Sequence, residues 1–206
     1  MSGIVGSYFN TRGSGVVAKL GTDGQVFTSA GAGVSQAFEA AAGDGKILQV
    51  VSTTWDDNQT GTNYGATWAD ITQANLAINP ANTSNKVLVH FSVSGGTTTG
   101  PEAIYIKLQH NGSGSYADVA GCFSGEGTGN QTNMTTIIGS DPYAANGAFN
   151  YLDSPSNDSS FNYQIQCAMR YSGANAWFIN YTTDTRDQYY IPFFTSTLTL
   201  TEIDGT

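Results

Sequence analysis

Charge is scarce in this chain. Only 11% of the residues are Asp, Glu, Lys or Arg, and seven basic side chains face sixteen acidic ones, for a net charge of −9. Such a surface repels phosphate backbones, so nucleic acid has no electrostatic foothold as a partner. No apolar run approaches the roughly 18 residues of a membrane span. No basic amphipathic stretch marks an interfacial helix either, so no membrane is expected as partner. Long apolar faces at helical spacing are also missing, which argues against a helical fold. Cysteine is limited to Cys122 and Cys167. Without a C-x-x-C spacing they read as buried free thiols. The start Met1-Ser2-Gly3-Ile4-Val5-Gly6-Ser7 lacks the charged opening and apolar block of a signal peptide, so synthesis and retention in a cytoplasm are expected.

In place of charge the chain carries Ser, Thr, Asn, Gln and Gly, with 12% aromatics. Neutral hydrogen-bonding residues, β-branched residues and frequent turns are the composition of an all-β protein. Residues 1–43 read as an extended, glycine-rich arm, in which Gln25-Val26-Phe27-Thr28 follows the turn signal Gly21-Thr22-Asp23-Gly24. A leader of this composition gains a fixed shape only by docking onto something larger. Asp44-Gly45 marks the start of a compact domain over 44–206.

Within that domain the apolar period is two. Ile47 to Val51 is a continuous apolar run of strand length. Trp55-Asp56-Asp57-Asn58 reads as a loop, Thr67 to Ile71 as a short strand, and Leu76 with Ile78 as one face of another, stopped by Asn79-Pro80. From Lys86 to Ser94, Val87, Val89, Phe91 and Val93 point one way while Lys86, Leu88, His90 and Ser92 point the other. Glu102 to His110 repeats the device, and Asn111-Gly112 then turns the chain. Cys122 to Asn133 reads as a long surface loop. Thr136 to Ile138, Tyr163 to Tyr171, Ala176 to Tyr181 and Ser196 to Ile203 complete the set. About eight to ten strands with no helices between them predict an antiparallel β-sandwich of two facing sheets. That number favours a jelly roll over a seven-stranded immunoglobulin-type sandwich.

Catalytic and metal-binding constellations are not visible. His90 and His110 have no carboxylate, Ser or Cys at a spacing that implies a triad, and no G-x-S-x-G elbow is present. Neither the cysteines nor the histidines fall into paired ligand spacings. Asp56-Asp57-Asn58 and Asp184 with Asp187 could offer oxygens to Ca²⁺, but loops of β proteins are rich in such residues for turn reasons alone. Nothing singles out a pair among Glu39, Glu102, Glu126 and Glu202 for glycoside hydrolysis. The expectation is no enzyme, no metal and no cofactor.

Tyr189-Tyr190-Ile191-Pro192-Phe193-Phe194 is different. Hiding both faces of so aromatic a segment calls for core on one side and cover on the other, and a neighbouring subunit can supply that cover.

Leu20-Gly21-Thr22-Asp23-Gly24-Gln25-Val26-Phe27-Thr28-Ser29-Ala30-Gly31-Ala32-Gly33 resembles a segment common in tailed-phage fibre and virion-surface proteins. Ala77-Ile78-Asn79-Pro80 followed by Ser84-Asn85-Lys86-Val87-Leu88-Val89 resembles a strand–turn–strand of their C-terminal domains, and Ser196 to Ile203 resembles their closing strand. The resemblance implies a bacteriophage virion structural protein. Its jelly-roll head would be similar to the trimeric tumour-necrosis-factor and complement globular heads, in which three subunits pack aromatic-rich faces around a threefold axis. Tyr189, Tyr190, Phe193 and Phe194 would then form the homotrimer interface. The long repetitive shaft of a tail fibre is not visible here, which fits capsid decoration or a stubby fibre. The arm would attach the trimer to other virion proteins, the major capsid protein foremost, through Ile4, Val5, Tyr8 and Phe9. This places the protein on the virion surface, after assembly in the bacterial host cytoplasm. The alternative is a receptor-binding fibre tip for a host glycan. Loops 56–63 and 122–133 would make the contact, with Trp55, Tyr64 or Tyr116 stacking on sugar rings.

Overall fold

Alternation of inward and outward residues, clearest along Ile47–Trp55, the first part of Lys86–Thr97 and Ser196–Ile203, decides most of this fold. The computed structural model describes residues 25–28, 37–40, 46–98, 102–122, 135–139, 143–170, 176–181 and 194–205. The chain divides into two units, 1–44 and 45–206. In the first, β1 (Gln25–Thr28) pairs antiparallel with β2 (Ala37–Ala40), with Gln25 opposite Ala40 and Thr28 opposite Ala37.

Among the described residues the regular elements of the second unit are all strands: β3 (Ile47–Trp55), β4 (Gln59–Gly61), β5 (Ala69–Ile78), β6 (Lys86–Thr97), β7 (Glu102–His110), β8 (Ala117–Asp118), β9 (Thr135–Gly139), β10 (Ala145–Asp153), β11 (Phe161–Met169), β12 (Trp177–Ile179) and β13 (Ser196–Ile203). Eight of these form nested antiparallel pairs. The outermost in sequence, β3 and β13, pair with each other, then β5 with β11, β6 with β10, and β7 with β9. Pairing of β13 with β6 and of β11 with β7 joins these hairpin-like pairs into two sheets, ordered β3-β13-β6-β10 and β5-β11-β7-β9. This nested order is that of an eight-stranded jelly roll, the double-sheet sandwich that the strand count predicts. The short strands are additions: β12 and β4 extend the first sheet beyond β6, and β8 adds to β7.

The core is what lies between the sheets. Val87, Val89, Phe91 and Val93 from β6 and Leu198 and Leu200 from β13 meet Ile104, Ile106 and Leu108 from β7 and Tyr163, Ile165, Cys167 and Met169 from β11. Each of these side chains is buried, and full burial of one large apolar side chain stabilises by about 1.5–3 kcal/mol.

Two differences from the sequence reading have clear causes. The pieces around Ile71 and Ile78 belong to one strand, β5, which bulges against β11 between Asp70 and Asn75. The bulge puts both Ile71 and Ala74 into the core, so the period of two is lost there and the strand looks split. Strand β6 runs on through Gly95 and Gly96 instead of ending at Ser94. There β12 crosses so closely that a Cβ on Gly95 would collide with the carbonyl oxygen of Phe178. These glycines mark close packing rather than a turn.

Candidate functional site

The polar groups with the most perturbed surroundings hold the structure together. Glu202 is buried on β13, where burial opposes its charge. Hydrogen bonds from Gln49 Nε2 (2.6 Å), Asn85 Nδ2 (2.6 Å) and the Ala81 N–H (2.7 Å) outweigh that and hold its pKa below the ordinary carboxylate value. The carboxylate thereby clamps the β5–β6 connection onto the end of β13. At one end of the sandwich Tyr163 donates its hydroxyl to Asp153 Oδ2 at 2.6 Å. Burial first, and the Asp153 charge second, push the phenol pKa up. His110 Nδ1 accepts the Gly112 N–H at 3.1 Å, so Nε2 carries the proton and faces Asp153 Oδ2 at 3.7 Å. Cys122 and Cys167 are buried free thiols. Burial, reinforced by Asp153 and Asp118, pushes the Cys122 thiol up to about 12. Burial raises Cys167 as well. No group of three metal-ligating side chains occurs among the described residues. Glu202, Tyr163 and His110 are engaged by structural partners and the two thiols are buried, so among the described residues the two outer sheet faces are the surfaces with exposed side chains to consider.

The outer face of the first sheet is nearly uncharged. Strand register places Val50, Thr201, Leu88 and Leu152 side by side across four strands. Val50 is 56% and Leu152 46% exposed. The next rows are Ser52–Thr199–His90–Asn150 and Thr54–Thr197–Ser92–Ala148. Beside the apolar row, Ile47 and Leu48 are exposed too, near a register shift between Glu202 and Ile203. None of these outward positions is Asp or Glu, in a chain of net charge −9.

The outer face of the second sheet is built differently. Its rows are Asn75–Gln164–Gln109–Asp118 and Asp70–Gln166–Lys107. Hydrogen bonds run along them, Gln166 Nε2 to Asp70 Oδ1 (2.6 Å) and Gln109 Nε2 to Asp118 Oδ1 (2.7 Å), and Asn162 Nδ2, from the neighbouring position on β11, donates to Asn75 Oδ1 (2.6 Å). Two aromatics lie over this network. The Lys107 ammonium sits 4.7 Å from the centre of the Trp68 ring and 2.8 Å from Asp118 Oδ1. Tyr116 accepts a hydrogen bond from Asn75 Nδ2 at 2.9 Å. Lys107 and Gln164 point outward yet are buried.

Of the residues expected to attach the arm, Ile4, Val5, Tyr8 and Phe9 lie outside the described residues, as do Tyr189, Tyr190 and Phe193 of the expected trimer interface. Phe194 is half-buried, and its N–H donates to the Asn180 carbonyl at 3.3 Å. Among the expected sugar-stacking aromatics, Trp55 is corrected: it is 5% exposed, a core residue at the end of β3. It faces inward because it sits in the buried phase of the β3 alternation. Tyr64 and Tyr116 are exposed. Sequence reasoning misses Leu152, because the Asn-rich β10 carries no clear apolar alternation, and Trp68, because only the folded sheet brings it over Lys107. Leu88 was legible as the one apolar residue on the polar side of β6.

No family model matches the chain, and no curated protein matches it. Among solved structures, the VP2 subviral particle of infectious bursal disease virus is similar over 87% of this chain at 10% identity and a TM-score of 0.37. The infectious bursal disease virus Gx strain structure is similar over 87% at 12% identity and 0.35. A mutant VP2 of the same virus in derived T=1 particles is similar over 86% at 11% identity and 0.37. The chain spans 42%, 41% and 40% of the lengths of those three chains. These likenesses are too distant to bear on function, and the jelly-roll assignment rests on the strand pairing itself.

Proposed function

We propose that this chain is a virion structural protein that self-associates through the outer face of its first sheet and decorates or reinforces a bacteriophage particle as a homotrimer. The observation that carries this reading is the apolar, carboxylate-free row Val50–Thr201–Leu88–Leu152. Copies of a molecule with net charge −9 repel one another, so association requires a face from which the acids are missing. Exposed branched apolar side chains aligned across a sheet supply the burial that drives it. The jelly roll is used by viral shells as well as by lectins and cupins, so the role is carried by this face and not by the fold.

In this reading the N-terminal arm attaches the trimer to the major capsid protein or another virion protein through Ile4, Val5, Tyr8 and Phe9, and the aromatic stretch Tyr189, Tyr190, Phe193 and Phe194 adds to the threefold contact. The protein then resides on the virion surface. Two measurements test it. Sedimentation of the full chain should give the mass of a trimer. Deleting residues 1–20 should abolish co-sedimentation with particles while leaving that mass unchanged apart from the deletion. A monomer at every concentration, or retained particle binding by the truncated chain, refutes the respective part.

A further inference from the structure

The structure assigns a second, separate task to the opposite side of the sandwich: we propose that the outer face of the β5-β11-β7-β9 sheet binds a neutral oligosaccharide, with Trp68 and Tyr116 as its stacking platforms. Tyr116 precedes β8, beside β7, yet its hydroxyl meets Asn75 on β5, beyond β11. The 111–116 turn therefore folds back over the sheet, and the ring lies above the row that contains Gln164. This explains why Gln164 is buried although it points outward. Trp68 covers the adjacent row in the same way, fixed from below by the Lys107 ammonium. One side of each ring is anchored to the sheet. Tyr116 remains 39% exposed and Trp68 half-exposed. Adjacent same-face rows lie about 6.8 Å apart along a strand, a spacing on the scale of one sugar ring.

The polar groups between the rings complete the match. A sugar offers apolar C–H faces and a rim of hydroxyls that both donate and accept. Aromatic faces suit the first. Fixed amides and carboxylates suit the second, because carboxylates accept and amides do both. Asp118 and Asp70 each engage Oδ1 in the bonds within the face and keep Oδ2 as a further acceptor. Their mutual hydrogen bonds pre-orient the side chains, which lowers the ordering cost of binding. Charge selects among glycans. Among the described residues of the rows Asn75–Gln164–Gln109–Asp118 and Asp70–Gln166–Lys107 the cation is Lys107, which is buried and already paired with Asp118, so these rows offer a polyanion two carboxylates and no accessible cation, on a chain of net charge −9. A sulfated or sialylated chain is disfavoured and a neutral one is not.

The proposal does not rest on self-association, and its test is read per chain. The full-length protein is titrated with neutral hexaoses of glucose, mannose, galactose and N-acetylglucosamine and with a sulfated heparin hexasaccharide, following heat and tryptophan fluorescence. The expected result is binding of at least one neutral hexaose at one site per chain, with a change in tryptophan emission, and no binding of the sulfated probe. Tyr116→Ala and Trp68→Leu should each weaken binding by about tenfold or more, and the thermal midpoint of Tyr116→Ala should stay close to that of the parent. Tyr116→Ala, at an exposed position, decides the matter if Trp68→Leu fails to fold. Absence of binding by all four neutral hexaoses at millimolar concentration overturns the proposal. So does a preference for the sulfated probe, or undiminished binding by Tyr116→Ala.

Discussion

The two sheets of this jelly roll turn the same kind of surface inward and opposite kinds outward. Facing the core, β6 offers Val87, Val89, Phe91 and Val93, while β11 offers Tyr163, Ile165, Cys167 and Met169. Facing solvent, the first sheet shows Val50, Leu88 and Leu152 in one row among Ser and Thr. The second shows amides, carboxylates and a buried lysine under the Trp68 ring, with the Tyr116 hydroxyl bonded to Asn75. Inward rows specify the fold, because any outward pattern is compatible with them. Outward rows are free to differ, and their difference is where two roles can be separated on one scaffold.

The largest expected effect comes from making the first outer face resemble the rest of the surface. Val50→Glu combined with Leu152→Glu places carboxylates on both flanks of the apolar row. Like charges brought together at an interface cost several kcal/mol, so the assembly constant should fall by roughly a hundredfold or more while the circular dichroism spectrum stays unchanged. Sedimentation velocity checks both the loss and its specificity: the same double change should leave saccharide binding by the second face intact.

A smaller effect separates fold-holding chemistry from either face. Glu202→Gln removes the charge that Gln49, Asn85 and the Ala81 N–H engage and should destabilise the sandwich by about 2 kcal/mol at neutral pH. Because the folded pKa of Glu202 is lowered, its stabilisation is complete above the ordinary carboxylate pKa and fades as pH falls through the depressed folded value. Chemical denaturation from pH 7 into the acid range should therefore show parent and variant converging at low pH. A constant gap would mean that the charge is not what stabilises.

How much of this was readable beforehand differs between the inside and the outside. The inner rows of β6, β7, β11 and β13 are visible in sequence, since alternation of period two is a local signal. Strand β10 was hidden, because Asn146, Gly147, Ala148 and Asn150 suppress its apolar alternation, and only pairing with β6 makes it a strand. The bulge in β5 broke the period, so one strand looked like two. Leu88 was visible as an oddity on a polar side, but the row it joins required the register of four strands. The cover formed by Trp68 and Tyr116 depends on how two connections fold over a sheet, a tertiary property with no short sequence signature. Trp55 misled for the opposite reason: a tryptophan beside an Asp-rich loop looks available, but its phase on β3 sends it inward.

The smallest effect concerns the thiols. Cys122 and Cys167 are buried, and both thiol pKa values are raised. Neither should react measurably with a maleimide at neutral pH on the timescale that labels an exposed cysteine. Rapid labelling of the native protein, read by mass spectrometry, would show that the sandwich opens around the labelled thiol.

That quiet background permits the most direct test of the account. Leu152→Cys reports on the first outer face and Tyr116→Cys on the second. The full-length variants are labelled with a maleimide above and below the concentration at which the protein assembles. The division of roles between the two faces predicts that Cys at 152 is protected on assembly and Cys at 116 labels rapidly at both concentrations. Equal labelling of the two positions in the assembled protein, or protection of 116 in place of 152, would contradict it.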